Sequence, residues 1–227
     1  FAYLQIGNFD VSRKYAAKSM ELAKKRSNTL LVGHNHSLAG QLDLYTGKPS
    51  NALASFGEAS DLFRSIKAAS ACAETAGGIM ECHDRLSQWH LIKPCFESAS
   101  RDLEVNSSIL MELELIYAKL QANQGNLAPS KKFVAQRSFE KILKQKSEMQ
   151  VLYYEVKASC ESSEGKIEQA IASCREIEKI LENISNNIPE AMQNHFASHP
   201  RVEALRDEIE KIYLSNKETG EHHKIDK

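Results

Sequence analysis

A chain of 227 residues, 42% hydrophobic and 26% charged, is long enough to bury a core and has the composition of an ordinary globular protein. Its 29 basic and 30 acidic residues leave a net charge of −1, so no global field draws in nucleic acid or an anionic membrane, and the partner expected is a protein or a small molecule. Only 5 Pro and 10 Gly occur and no stretch alternates β-branched with polar residues for long, which predicts an all-α fold. The five cysteines, Cys72, Cys82, Cys95, Cys160 and Cys174, are odd in number and lack a Cys-x-x-Cys pair. They predict neither a complete disulfide set nor a zinc site, and they point to a reducing, cytoplasmic location.

In chain order, Phe1 to Ile6 is less than half of a helix, followed by a turn at Gly7 and a helix from Asn8 to about Lys25, with Phe9, Tyr15, Ser19 and Leu22 expected inward. The truncated start predicts an N-terminal extension, or a neighbouring molecule, that covers the apolar face of this helix. The next unit has Gly40 in its first helix, Gly47 to stop it, Pro49 to open the second, and Ala52, Phe56 and Ala59 as a ridge. Gly7 and Gly47 lie forty residues apart, as do Gly125 and Gly165, and Ser87 fills the slot between them. Aligned on those turns alone, the second-helix ridge reads Ala16, Phe56, Phe96, Val134 and Cys174, preceded by Ser12, Ala52, Ile92, Ser130 and Ala170. The small first-helix position reads Gly40, Met80, Ala118 and Ala158, and a wedge after each turn reads Phe9, Pro49, Trp89, Leu127 and Ile167.

The third unit, Ala68 to Arg85 and then Ser87 to Leu103, carries Gly77 and Gly78 in its first helix and Pro94 near the start of its second. In the fourth, Ser107 to Gln124 and Ala128 to about Lys146, Arg137 stands where Ala59 and Ala99 stand in their units, which means a local rotation or a partly open ridge. The fifth, Met149 to Ser163 and Lys166 to Ile184, has Ile167, Ala170, Ile171, Cys174, Ile177 and Leu181 as one stripe. Pro189 starts a short helix bearing Met192 and Phe196, and Ser198 with Pro200 opens a longer one bearing Val202, Leu205, Ile209 and Ile212.

Turn glycine, opening proline and the Ala-Phe-Ala ridge together resemble a tetratricopeptide (TPR) repeat. Forty residues per unit imply extra helix or a longer link in each pair, and such longer repeats resemble those of large bacterial signalling and regulatory proteins. The resemblance implies an α-solenoid over 1–184, made of a partial unit 1–27 and units 28–67, 68–106, 107–147 and 148–184. Capping helices follow over 185–215, then a flexible polar tail, 216–227. It implies a scaffold or regulatory module that binds a protein segment in a concave groove, as part of a larger signalling protein. The alternative is a small-ligand-sensing domain of a transcription regulator or kinase.

No residues assemble into an enzyme, cofactor or metal site. His34 and His36, two apart on a helix, point to different faces and cannot share an ion easily. His222 and His223 lie in the polar tail, with no third ligand fixed nearby. Ser138-x-x-Lys141 and Ser163-x-x-Lys166 lack the motifs that accompany a serine–lysine nucleophile, and Cys82 beside His83 reads as a buried small residue next to a surface imidazole. Trp89, in the wedge slot, is expected to pack at its turn. Gly77-Gly78 lacks the lysine of a phosphate loop. By resemblance the concave face carries His34, Ser37, Gln41 and Tyr45, then Glu74, Glu81, Asp84 and Arg85, then Glu112, Lys119 and Asn123, then Glu155 and Ser159. Chaperone-adaptor members grip a terminal carboxylate with Lys, Arg and Asn, a set absent here, so a mostly acidic face implies a basic or polar partner segment.

Overall fold

The computed structural model describes residues 2–101, 103–104, 107–136 and 146–225, with side chains as far as residue 215. The described residues form helices and no strands, and no described helix is long and apolar enough to cross a membrane. The chain divides into two compact units, Phe1–Leu120 and Gln121–Lys227.

The first unit contains α1 (Ala2–Gln5), α2 (Phe9–Lys25), α3 (Thr29–Tyr45), α4 (Pro49–Ser65), α5 (Ala69–Arg85), a 3₁₀ turn over Trp89–Leu91, α6 (Ile92–Ser100) and most of α7 (Ser108–Asn123). Helices α2 to α5 are each 17 residues long, joined by three-residue links. One cap closes every link. The residue at the centre has positive φ: Gly7, Ser27, Gly47, Lys67 and Ser87, twenty residues apart. Its N–H bonds three residues back, and the next N–H bonds five back, as in Asn28 to Ala23 and Ala68 to Phe63. These are the two bonds that satisfy orphan carbonyls in a Schellman motif. Asn8 and Asn28 then accept from Val11 and Leu31, so one residue ends a cap and starts a helix.

The unit period of forty is therefore two equal helix-and-turn steps of twenty. The surplus over a shorter repeat is helix, and the link between pairs is as short as the link within them. Only alternate turns are visible as Gly7 and Gly47, because Ser27 and Lys67 take the left-handed conformation without glycine.

Packing in this unit follows the ridge. Ala52, Phe56, Ala59 and Phe63 are all buried along one stripe of α4. A Cβ on Gly33 would meet Phe63, and one on Gly40 would meet Phe56. Numbers that rise by seven along α3 fall by seven along α4, so the two helices are antiparallel. The same holds from α4 to α5, where Gly78 lies against Phe56 and Phe63 packs with Ala71. Gly77, beside it, opens space for Ile116 of α7 instead. The two glycines of α5 are thus close-approach positions toward different neighbours. Below them Met80, Ile92, Leu113 and Leu120 form one cluster, with Phe96 stacked on Tyr117 at 4.4 Å.

Two expectations for side chains fail here. Helix α2 buries Ser12 and Ala23, with Ala16 and Ser19 half-buried, whereas Tyr15 is 55% and Leu22 46% exposed. The forty-residue register already assigns Ser12 and Ala16 inward, and small residues let α2 approach α3 closely. Trp89 is 52% exposed rather than packed at its turn. Helix α6 begins only at Ile92, which leaves Trp89 in the 3₁₀ turn and puts Pro94 in the first helical turn, where a missing N–H costs little.

The second unit holds α8 (Ala128–Gln136), α9 (Ser147–Ser163), α10 (Ile167–Asn186), α11 (Glu190–Ala197) and α12 (Pro200–Ile225). Gly125 and Gly165 repeat the same cap. Glu164, flanked by Lys166 at 2.8 Å and Lys131 at 2.9 Å, ties α8 to the α9–α10 turn. Ala170, Ile171, Cys174 and Ile177 line the buried side of α10, and Val202, Leu205 and Ile209 that of α12. Arg137 and the Ser138–Lys141 pair lie outside the described residues. The backbone of α12 stays helical to Ile225, through the stretch from Asn216 expected to lack regular structure. Extending a helix already formed is far easier than starting one, so no apolar stripe is required there.

Candidate functional site

In the first unit the residues expected on the binding face belong to α3, α5 and α7. Helix α3 touches α5 as well as α2 and α4. Arg85 Nη1 donates to the Leu44 carbonyl at 3.2 Å, which sets the last turns of α3 and α5 side by side. A cation at the carbonyl end of α3 is also favoured by the helix dipole. Glu81 and Asp84 are half-buried on the adjoining turns of α5, and Glu74 is exposed further up. Gln41 is half-buried, and its Oε1 is shielded from water without a donor. Ser37 is buried. Glu112 and Lys119 of α7 are half-buried and already engaged in polar or electrostatic interactions.

Three expected contact residues make intramolecular contacts, Glu155 buried, Tyr45 half-buried and Arg85 exposed. The Tyr45 ring stacks on Phe9 at 6.1 Å, within a cluster that includes Leu4, Leu38 and Leu42. Its aromatic area outweighs its hydroxyl, so it fills the α2–α3 seam. Arg85 is spent on the end of α3. Glu155, on α9 in the second unit, is 7% exposed and pairs through both carboxylate oxygens with Arg201, at 2.5 Å and 3.3 Å. A carboxylate so buried needs such a partner, and the capping helix supplies it. Asn123 is exposed and belongs to the second unit, as does half-buried Ser159.

The histidines diverge as their spacing requires. His36 Nδ1 lies 2.7 Å from Glu58 of α4, while the His34 ring tilts against Phe63 at 5.0 Å. His222 and His223 lie beyond the described side chains. Ser163 donates to the Cys160 carbonyl and Lys166 pairs with Glu164, so that serine and lysine are each engaged elsewhere. Burial pushes the Cys82 thiol up to about 12, aided by Glu81 and opposed by Arg85, which keeps it protonated and unreactive at neutral pH.

Among the described residues are concavities that the sequence does not reveal. One, of about 200 Å³, lies among α1, α2 and α3 and includes Tyr3, Ser12, Tyr15, Ser19 and His34. Another, of about 600 Å³, lies among α10, α11 and α12. On its walls Tyr213 donates to Glu178 at 2.9 Å and Arg206 to the Ala197 carbonyl at 3.0 Å. His34 is the one expected binding residue that lines either, and small residues such as Ser12 and Ser19 carry no signal by which a pocket can be read from sequence. Comparison with known proteins finds no family model, no curated protein and no solved structure that matches this chain.

Proposed function

We propose that the first unit is a TPR-like helix-pair array, part of an α-solenoid, whose first helices α3 and α5 present a face for a basic or polar segment of a partner protein. The observation that carries this reading is the repeated cassette of 17-residue helix, left-handed turn residue and double cap, which holds α3 and α5 in register forty residues apart. Such an array buries its ridges between helices and leaves the opposite edges of its first helices for a ligand. On those edges Glu74, Glu81 and Asp84 outnumber the cations, and Arg85 is already bound to the end of α3. Acidic surface steers and selects a basic segment, and exposed charge makes the affinity fall with salt. The role is that of a scaffold or regulatory module, not a catalyst.

The test is fluorescence anisotropy with two pools of short labelled peptides, one rich in Lys and Arg, the other in Asp and Glu. Binding of the basic pool that weakens with added salt is the expected result. Equal binding of both pools, or preference for the acidic one, contradicts the proposal.

A further inference from the structure

Ser12, which lines the pocket of about 200 Å³ among α1, α2 and α3, carries an orphaned polar atom just behind the pocket wall. Ser12 is only 3% exposed, and its Oγ has no hydrogen-bond partner. Ser65 bonds back to Leu62 of its own helix and Thr75 to Ala71, while Ser173 reaches a carboxylate on the neighbouring helix. Ser12 does neither, and a buried hydroxyl left unsatisfied is unfavourable unless something else meets it.

The rest of the wall is mostly apolar and aromatic. Tyr15 is stacked parallel to Tyr3 at 5.6 Å yet remains 55% exposed, and Leu31 at the rim is 39% exposed. Leu38 closes the floor. Asn35 already gives its amide hydrogens to Ser19 at 3.0 Å and the Leu31 carbonyl at 2.7 Å, which fixes the α2–α3 side of the pocket. A dry apolar cavity of about 150 Å³ accepts a benzene ring, so this one has room for a ring with a small substituent. Exposed tyrosine offers such a ring an aromatic neighbour.

We infer that this pocket binds a single hydroxylated aromatic ring, packed beside Tyr15 with its hydroxyl hydrogen-bonded to Ser12 Oγ. The inference does not depend on the peptide reading above, because a free ring tests it without any partner protein.

The probe is p-cresol, titrated into the full chain and followed by amide chemical shifts, with toluene as the ring that lacks the hydroxyl. Saturable shifts at Ser12, Tyr15 and His34 are expected, with toluene about fivefold weaker, the ratio one neutral hydrogen bond supplies. Ser12→Ala should bind the two rings equally while keeping its helical circular dichroism, and Ala16→Leu, which fills the pocket, should bind neither. A blocked Gly-Tyr-Gly peptide assigns the source: tighter than cresol for a partner's tyrosine, weaker for a free small molecule. Absence of saturable shifts, equal binding of toluene and cresol by the unmodified protein, or shifts that follow protein concentration and so report self-association would each overturn the inference.

Discussion

Phe56 is held between two glycines, Gly40 of α3 and Gly78 of α5, and is 1% exposed. Burying a ring of this size contributes about 1.5–3 kcal/mol, and both glycines are needed to let it in. A Cβ at Gly78 would come within 2.7 Å of Phe56 Cε2, and Gly40 blocks retreat on the other side. Gly78→Ala should therefore destabilise by about 1–3 kcal/mol despite the better helix propensity of alanine. Gly57→Ala, on the same helix as Phe56 and with nothing within 4 Å of its added Cβ, should stabilise by about 0.5–1 kcal/mol. Urea unfolding of the pair checks both signs. Lys67 is the opposite case: a side chain held at φ 56 where glycine pays no steric penalty. Lys67→Gly is expected to raise stability by about 1 kcal/mol, and an unchanged or lower urea midpoint would show that the turn is not strained. The buried Ala52, Phe56 and Ala59 were legible because they step in helical register from a visible turn, and Phe63 continues the same stripe one turn further on. The turns at Ser27 and Lys67 were not, since neither residue type marks a left-handed conformation.

Each element of the second unit carries a polar tie that supplements its apolar stripe. Arg201 of α12 meets Glu155 of α9, Tyr213 of α12 meets Glu178 of α10, and Ser173 of α10 donates to Glu161 of α9 at 2.7 Å. The apolar stripe of α12 was legible from the spacing of Val202, Leu205 and Ile209. The Glu155 pair was not, because its members are 46 residues apart and nothing local marks a glutamate for burial. For the same reason, hydrophobicity alone misplaced Tyr15 and Leu22 on α2, where the repeat register and the small residues Ser12, Ala16, Ser19 and Ala23 decide the buried face. Arg201→Ala removes the charge partner of a buried carboxylate and should cost about 3–5 kcal/mol, whereas the double change Glu155→Leu with Arg201→Met should be nearly neutral. Hydrogen exchange localises the effect: faster exchange in α12 of the single variant is expected, with α3 unchanged. If the double variant were as unstable as the single one, the pair would be contributing more than mutual neutralisation.

Across the whole molecule the thiols set an alkaline limit. Burial pushes Cys82 up to about 12, and Cys95 and Cys174 to about 11, from an ordinary 9.0. Unfolding returns them to the ordinary value, so above it the unfolded chain gives up protons that the native chain retains, and stability falls as pH rises. Their contribution is whole below pH 9.0 and is lost on the way to about 12. Replacing all three by alanine should flatten the decline in urea midpoint over that window, and an identical slope would contradict the assignment. Function at this scale turns on one claim, that the face of α3 and α5 selects a partner segment by its positive charge. The most direct measurement is the affinity of the Glu81→Lys, Asp84→Lys double variant for the basic and acidic peptide pools at low and high salt. The basic pool should be lost, the acidic pool gained, and both effects should shrink as salt rises. Unchanged binding of the basic pool by the charge-reversed protein would contradict it.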